Sequence, residues 1–123
     1  MSTSLALIKN DDGSGNAVYG NVSNGSDSSS LVDLLAPGTD ICSAVPVSLD
    51  VDGVKDGQAC DWIGTSMAAP HVTGAFAAIR QARPNATVDQ ILSALQRDGT
   101  AVTDSRNNIT RTRINLANTI YYF

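Results

Sequence analysis

The eleven residues Gly64-Thr65-Ser66-Met67-Ala68-Ala69-Pro70-His71-Val72-Thr73-Gly74 constrain the fold of this chain more than any other stretch. Val72, Ala75, Phe76 and Ile79 recur at i, i+3, i+4 and i+7, which predicts a helix with a buried face. Ala68, Ala69, Ala77 and Ala78 fill much of the remaining circumference, so the helix is expected to be buried nearly all round. Ser66 stands where that helix begins. A serine in this place most often caps the helix. The same place suits a nucleophile, because first-turn backbone N–H groups lack helical partners and point outward with the positive end of the helix dipole. Those N–H groups, that of Ser66 among them, are ready for the oxyanion that attack by the hydroxyl creates. Position alone leaves both readings open.

The length of 123 residues fits one domain, large enough to bury roughly two thirds of its unfolded surface. With 42% hydrophobic and 16% charged residues the chain can build a packed core. The net charge of −4 argues against nucleic acid or an anionic membrane as a partner. Residues 1–8 are too short and polar for a signal peptide, and no run of about 18 apolar residues exists to span a bilayer. The sequence assigns no compartment.

Along the chain, Ser4 to Ile8 reads as a short buried strand, followed by the turn-rich Asn10 to Asn16. The carboxylates there read as turn residues, since Asn, Asp and Gly tolerate the backbone angles that turns need. Ala17 to Ser30 is hairpin and loop material with a strand signal at Ala17-Val18-Tyr19. Leu31 to Leu35 reads as a strand ending in the sharp turn Ala36-Pro37-Gly38. Ile41 to Pro46 and Gln58 to Ile63 flank the polar connection Val47 to Gly57 and are expected to pair antiparallel. One cysteine lies in each run. A Cys42–Cys60 bond is expected to tie the two runs and to constrain the unfolded chain by about 3 kcal/mol. Unpaired, the same cysteines would pack as small hydrophobes. Two cysteines and one histidine at these spacings match no zinc pattern, and neither a metal nor a cofactor is expected.

Pro84 stops the first helix, since a proline turns the residue before it away from helical angles. Thr87-Val88-Asp89-Gln90 is a capping box opening a second helix with Ile91, Leu92 and Leu95 inward. Gly99 is expected to close it as a left-handed C′ glycine. The fold class read from these elements is α/β, a partly parallel sheet packed on the helices that start near Ser66 and Thr87.

The run GTSMAAPHVTG resembles, almost letter for letter, the nucleophile motif of the subtilisin-like serine peptidases. The resemblance implies that Ser66 is the nucleophile and opens the central buried helix of a partial subtilisin-like fold. It extends to Leu31-Val32-Asp33-Leu34-Leu35-Ala36-Pro37-Gly38, similar to the family's strand ending in Ala-Pro-Gly. Pro84 to Ile91 is similar to its second C-terminal helix, and Arg111 to Asn118 to its closing strand and last helix. Residues 1–123 therefore resemble the C-terminal portion of a subtilisin catalytic domain. The His-Gly-Thr motif, a convincing aspartate motif and the segment with the oxyanion-hole asparagine are not among them. The family's triad needs a base within reach of the serine and an acid orienting the base. Of these three, the chain carries one.

His71 is the single histidine. Five residues along a helix place it roughly 140° round from Ser66, so it is a poor replacement base. The resemblance implies a structural role, and a buried, hydrogen-bonded ring is expected. Two functions follow. The first is a serine hydrolase built on Ser66, acting on ester or peptide bonds and more esterase-like than a full protease. The second is an inactive subtilase fragment or assembly module. Because Leu5 to Ile8 and Leu31 to Leu35 are expected to leave backbone unpaired or faces uncovered, the partner expected beside the substrate is a second copy, in a homodimer.

Overall fold

The computed structural model describes residues 5–6, 8–11, 17–22, 26, 28–49 and 56–123. Of the turn-rich stretch expected at Asn10 to Asn16, Asn10 and Asp11 belong to a strand and residues 12–16 lie outside the described residues, as do residues 50–55 of the polar connection. Among the described residues, eight strands and three helices run in the order β1 (Leu5–Ala6), β2 (Ile8–Asp11), β3 (Ala17–Val22), β4 (Leu34–Leu35), β5 (Ile41–Ala44), β6 (Gln58–Trp62), α1 (Thr65–Ala82), α2 (Val88–Asp98), β7 (Thr100–Asp104), β8 (Ile109–Arg113) and α3 (Leu116–Tyr122). A single 3-10 turn, Val47–Leu49, follows β5.

The main sheet has the order β1-β4-β8-β7, with β1, β4 and β8 parallel and β7 antiparallel to β8. Its centre is β4. Leu34 and Leu35 point to opposite faces, as successive strand residues must, and both are buried. A strand covered on both faces reads as an uninterrupted apolar run, which is why Leu34-Leu35-Ala36 lacks the polar alternation of a surface strand. Leu34 and Ala36 join Ala68, Val72, Ala75 and Ile79 of α1 and Ile91 and Leu95 of α2 in one core. Leu35 joins Val22, Val32 and Val102 in a second core on the other face. The expectation of an unpaired strand at Leu31 to Leu35 is thus overturned. Leu34–Leu35 is paired on both sides, with Leu5–Ala6 and with Thr112–Arg113. At the sheet's ends lie β1 and β7.

The two other pairings are hairpins, β2 with β3 and β5 with β6, both antiparallel. The second matches the pairing expected across the polar connection.

Helix α2 begins with the capping box that its sequence specifies. The Gln90 amide N–H donates to Thr87 Oγ1 at 3.2 Å, and the Thr87 amide N–H donates to Gln90 Oε1 at 2.8 Å. It does not end as expected. Gly99 has φ −83°, an extended conformation open to any residue. Glycine stands there for lack of room, since a Cβ would run into the Arg113 carbonyl oxygen and Thr112 Cγ2. The close packing of α2 against β8 therefore takes the place of a left-handed cap.

Helix α1 is covered on one side only. Ala68, Val72, Ala75 and Ile79 are buried, whereas His71, Thr73, Gly74 and Ala77 are exposed. Burial nearly all round is not what the described residues provide, because none of their elements packs on that outer side.

Candidate active site

The site is built where β6 runs into α1. Ile63 and Gly64 carry the chain from Trp62 to Thr65, and the Gly64 amide N–H donates to the Gly38 carbonyl at 2.9 Å. That bond ties the approach to Ser66 to the Ala36-Pro37-Gly38 turn at the end of the central strand. Sequence distance hides the link; the core strand thereby fixes where the serine stands.

The N-terminus of α1 differs from that of α2. Its N-cap residue is Gly64, so no side chain caps the first turn. The Met67 amide N–H donates to the Gly64 carbonyl at 3.0 Å, and the amides of Thr65 and Ser66 have no partner among the described residues. A Cβ on residue 64 would make only ordinary van der Waals contacts, 3.4 Å from the Met67 sulfur and 3.7 Å from the Ser66 nitrogen. Ser66 is exposed, and its hydroxyl is likewise without a partner among the described residues. Pro70, inside the helix, has no N–H to give the Ser66 carbonyl, the i−4 acceptor it would otherwise serve. The hydroxyl and amide of Ser66 thus have no partner among the described residues, and its carbonyl receives no bond from residue 70.

His71 is turned away from the serine. Its Nδ1 lies 2.7 Å from the Met67 carbonyl oxygen, and since that oxygen can only accept, Nδ1 carries the proton. The ring is exposed, contrary to the expectation of burial, because it lies on the uncovered side of α1. It is satisfied by its own helix, and the structure does not bring it to Ser66.

A pocket of about 180 Å³ is lined by Ile41, Ser43 and Val45 of the β5 side, Ala59 and Trp62 of β6, and Met67 of α1. Its lining is almost wholly apolar, and Met67 is the residue next to the serine. The sequence motif pointed to Ser66 but gave no sign of this pocket, which needs the hairpin pairing to exist. Cys42 and Cys60 are joined by a disulfide across that hairpin.

A second polar cluster lies away from Ser66. Asp104 is buried and accepts from Arg106 Nη2 at 2.7 Å and from Ser28 Oγ at 2.5 Å. Arg106 also donates through Nη1 to the Ser26 carbonyl. The Arg106 guanidinium holds the Asp104 carboxyl well below the usual carboxylate range, against the opposing effect of burial. No sequence signal pointed to this cluster, whose partners are about 80 positions apart. It clamps the segment before β4 to the β7–β8 turn.

Among known proteins, the profile of the Subtilase family matches residues 7–113. The chain is 39% identical over 80 residues to the minor extracellular protease Vpr of Bacillus subtilis, covering 63% of this chain and 9% of that protein. It is 48% identical over 56 residues to an intracellular serine protease of Paenibacillus polymyxa, covering 46% of this chain and 14% of that one. The fold is similar to a chain from the structure of the subtilase cytotoxin SubAB assembly, with a TM-score of 0.64 and 20% identity over 95% of this chain. It is also similar to a protease of Pseudoalteromonas arctica, with a TM-score of 0.61 and 25% identity. The present chain spans 35% of each of those two structures. Whereas its length is only a fraction of theirs, the family match covers nearly all of it: the chain belongs to the subtilase family.

Proposed function

We propose that this chain carries the nucleophile of a subtilisin-type serine hydrolase, with Ser66 as the attacking residue. The observation behind the reading is the state of Ser66 itself, an exposed hydroxyl at an uncapped helix start, beside its own amide that has no partner among the described residues, with its neighbour Met67 lining an apolar pocket. The Ser66 Oγ adds to the acyl carbon, and the carbonyl oxygen becomes an oxyanion that accepts from the Ser66 N–H. The leaving group departs with the bonding electron pair, and water then releases the acyl group from Oγ. With His71 bonded to Met67, no described residue takes the hydroxyl proton, which passes to solvent water as Oγ attacks and is restored to Oγ when water releases the acyl group. Substrates whose leaving group needs no protonation are therefore favoured, which means activated esters before amides. In complete subtilisins that have lost triad members, about 10³–10⁴-fold acceleration over water remains. Hydrolysis of p-nitrophenyl acetate above the buffer rate, abolished in Ser66→Ala, is the expected result; equal rates for the two proteins would refute the reading.

One observation favours a second reading, a module completed by another polypeptide. Strand β1 has a pairing partner on one side only among the described residues, and α1 has an exposed side rich in small residues. An edge of this kind recruits a further strand unless something blunts it. A homodimer is the simplest form, checked by light scattering. A mass of 12.8 kDa at working concentration would contradict it.

A further inference from the structure

The β5–β6 hairpin contains an irregularity whose position bears on the pocket. Ile41 pairs with Trp62, and Ser43 pairs with Ala59. Between those pairs β5 has one residue, Cys42, and β6 has two, Cys60 and Asp61. One residue on β6 is therefore extra, which is a β-bulge. Its backbone signature is Asp61, at φ +60°, the left-handed region that aspartate enters more readily than most residues.

The bulge decides which way Trp62 points. In an unbroken strand, side chains alternate, so Ala59 and Trp62, three positions apart, would face opposite sides. Both line the same pocket. On β5, without the extra residue, the lining residues keep strict alternation: Ile41, Ser43 and Val45. The extra residue at Asp61 is what returns Trp62 to the face of Ala59. The disulfide joins Cys42 to Cys60 at this point of the ladder, and both cysteines are exposed, on the side away from the pocket. A bulge free to slide would let the register slip by one residue and send every side chain beyond it to the other face. The covalent bond between Cys42 and Cys60 forbids that slip.

We propose that the Cys42–Cys60 disulfide and the left-handed Asp61 are positioning residues that hold Trp62 as a wall of the apolar pocket lined also by Met67, the residue after Ser66. The inference rests on the reading of Ser66 as nucleophile only for the pocket's use, not for its geometry. Loss of the bond frees the bulge, turns Trp62 into solvent and removes one wall.

Trp62 is the chain's single tryptophan, so its emission reports this site alone. The bond is broken by an external dithiol such as dithiothreitol. One reagent thiolate attacks a cystine sulfur and expels the other cysteine as thiolate. The second reagent thiol then closes to a cyclic disulfide, and the two electrons and two protons end on Cys42 and Cys60. In the folded, reduced protein the emission maximum is expected to move to longer wavelength. Acrylamide quenching should rise about twofold, since Trp62 is 45% exposed with the bond in place. Should reduction unfold the chain, substitutions that keep the disulfide decide. Asp61→Gly, which enters the left-handed region freely, should leave emission and quenching as in the wild type. Asp61→Val, which enters it at high cost, should shift both while far-UV circular dichroism stays unchanged. Unaltered Trp62 emission in folded Asp61→Val, or an equal shift in Asp61→Gly, would overturn the proposal. Because Ser66 takes no part in the readout, the same results are expected in the Ser66→Ala background, and failure here is separable from failure of the nucleophile reading.

Discussion

Replacing Asp104 by asparagine should destabilise the fold at neutral pH and do so less as the solution is acidified. Asparagine keeps the shape and removes the charge. The Asp104 side chain is 4% exposed and meets Arg106, whose side chain is 30% exposed. Breaking a fully buried ion pair costs about 3–5 kcal/mol, and the partial solvation of Arg106 reduces that to about 2–3 kcal/mol here. With an m-value of about 1–1.5 kcal/mol/M, the urea midpoint at pH 7 should fall by about 2 M. The sign of the pH effect follows from the carboxyl being held low in the folded state. Such a group stabilises the fold above its unfolded value, about 3.9, and the contribution fades as pH falls below that. At pH 3 the unfolded carboxyl has taken up most of its proton, and about 1.3 kcal/mol of the advantage has gone. Urea melts of both proteins at pH 7 and pH 3, followed by circular dichroism, should show the gap narrow by that amount. A gap below about 0.5 kcal/mol at pH 7, the level of ordinary surface changes, would refute the reasoning. So would a gap that widens in acid.

Two other outcomes follow from the packing. Gly99→Ala should cost about 1–3 kcal/mol, the usual range for overpacking, because its Cβ meets the Arg113 carbonyl and Thr112 rather than open space; a urea midpoint equal to the wild type would contradict this. Thiol titration of the denatured, unreduced protein should find no free thiol, given the Cys42–Cys60 bond, and two thiols in protein purified without reductant would count against it.

What the sequence disclosed depended on how local each cause is. The start of α2 was legible because Thr87 and Gln90 satisfy each other within one turn. The β5–β6 pairing was legible from two apolar runs flanking one polar connection. The β7–β8 hairpin was not foreseen. Its threonines alternate weakly, and its turn relies on Asn108 in the left-handed region at φ +58°. The signal was present in the β-branched residues on either side of Arg106-Asn107-Asn108, but with little apolar contrast to mark a face. Gly99 was misread because a local rule about helix ends competed with a distant contact to β8. The exposure of His71 was missed for a related reason, since the composition of α1 says how much apolar surface it has and not how much is covered. At the candidate site, the motif singled out Ser66 for the proposal, and the pocket with Trp62 depends on a one-residue register shift that no periodicity in the sequence announces.

The central claim is that Ser66 is chemically a nucleophile and not only the first-turn residue of a helix. It is tested most directly by incubating the protein with a fluorophosphonate and mapping any adduct by peptide mass spectrometry. One adduct is expected, on Ser66, and none in Ser66→Ala. No adduct on the folded wild type, or an adduct that persists in Ser66→Ala, would contradict it.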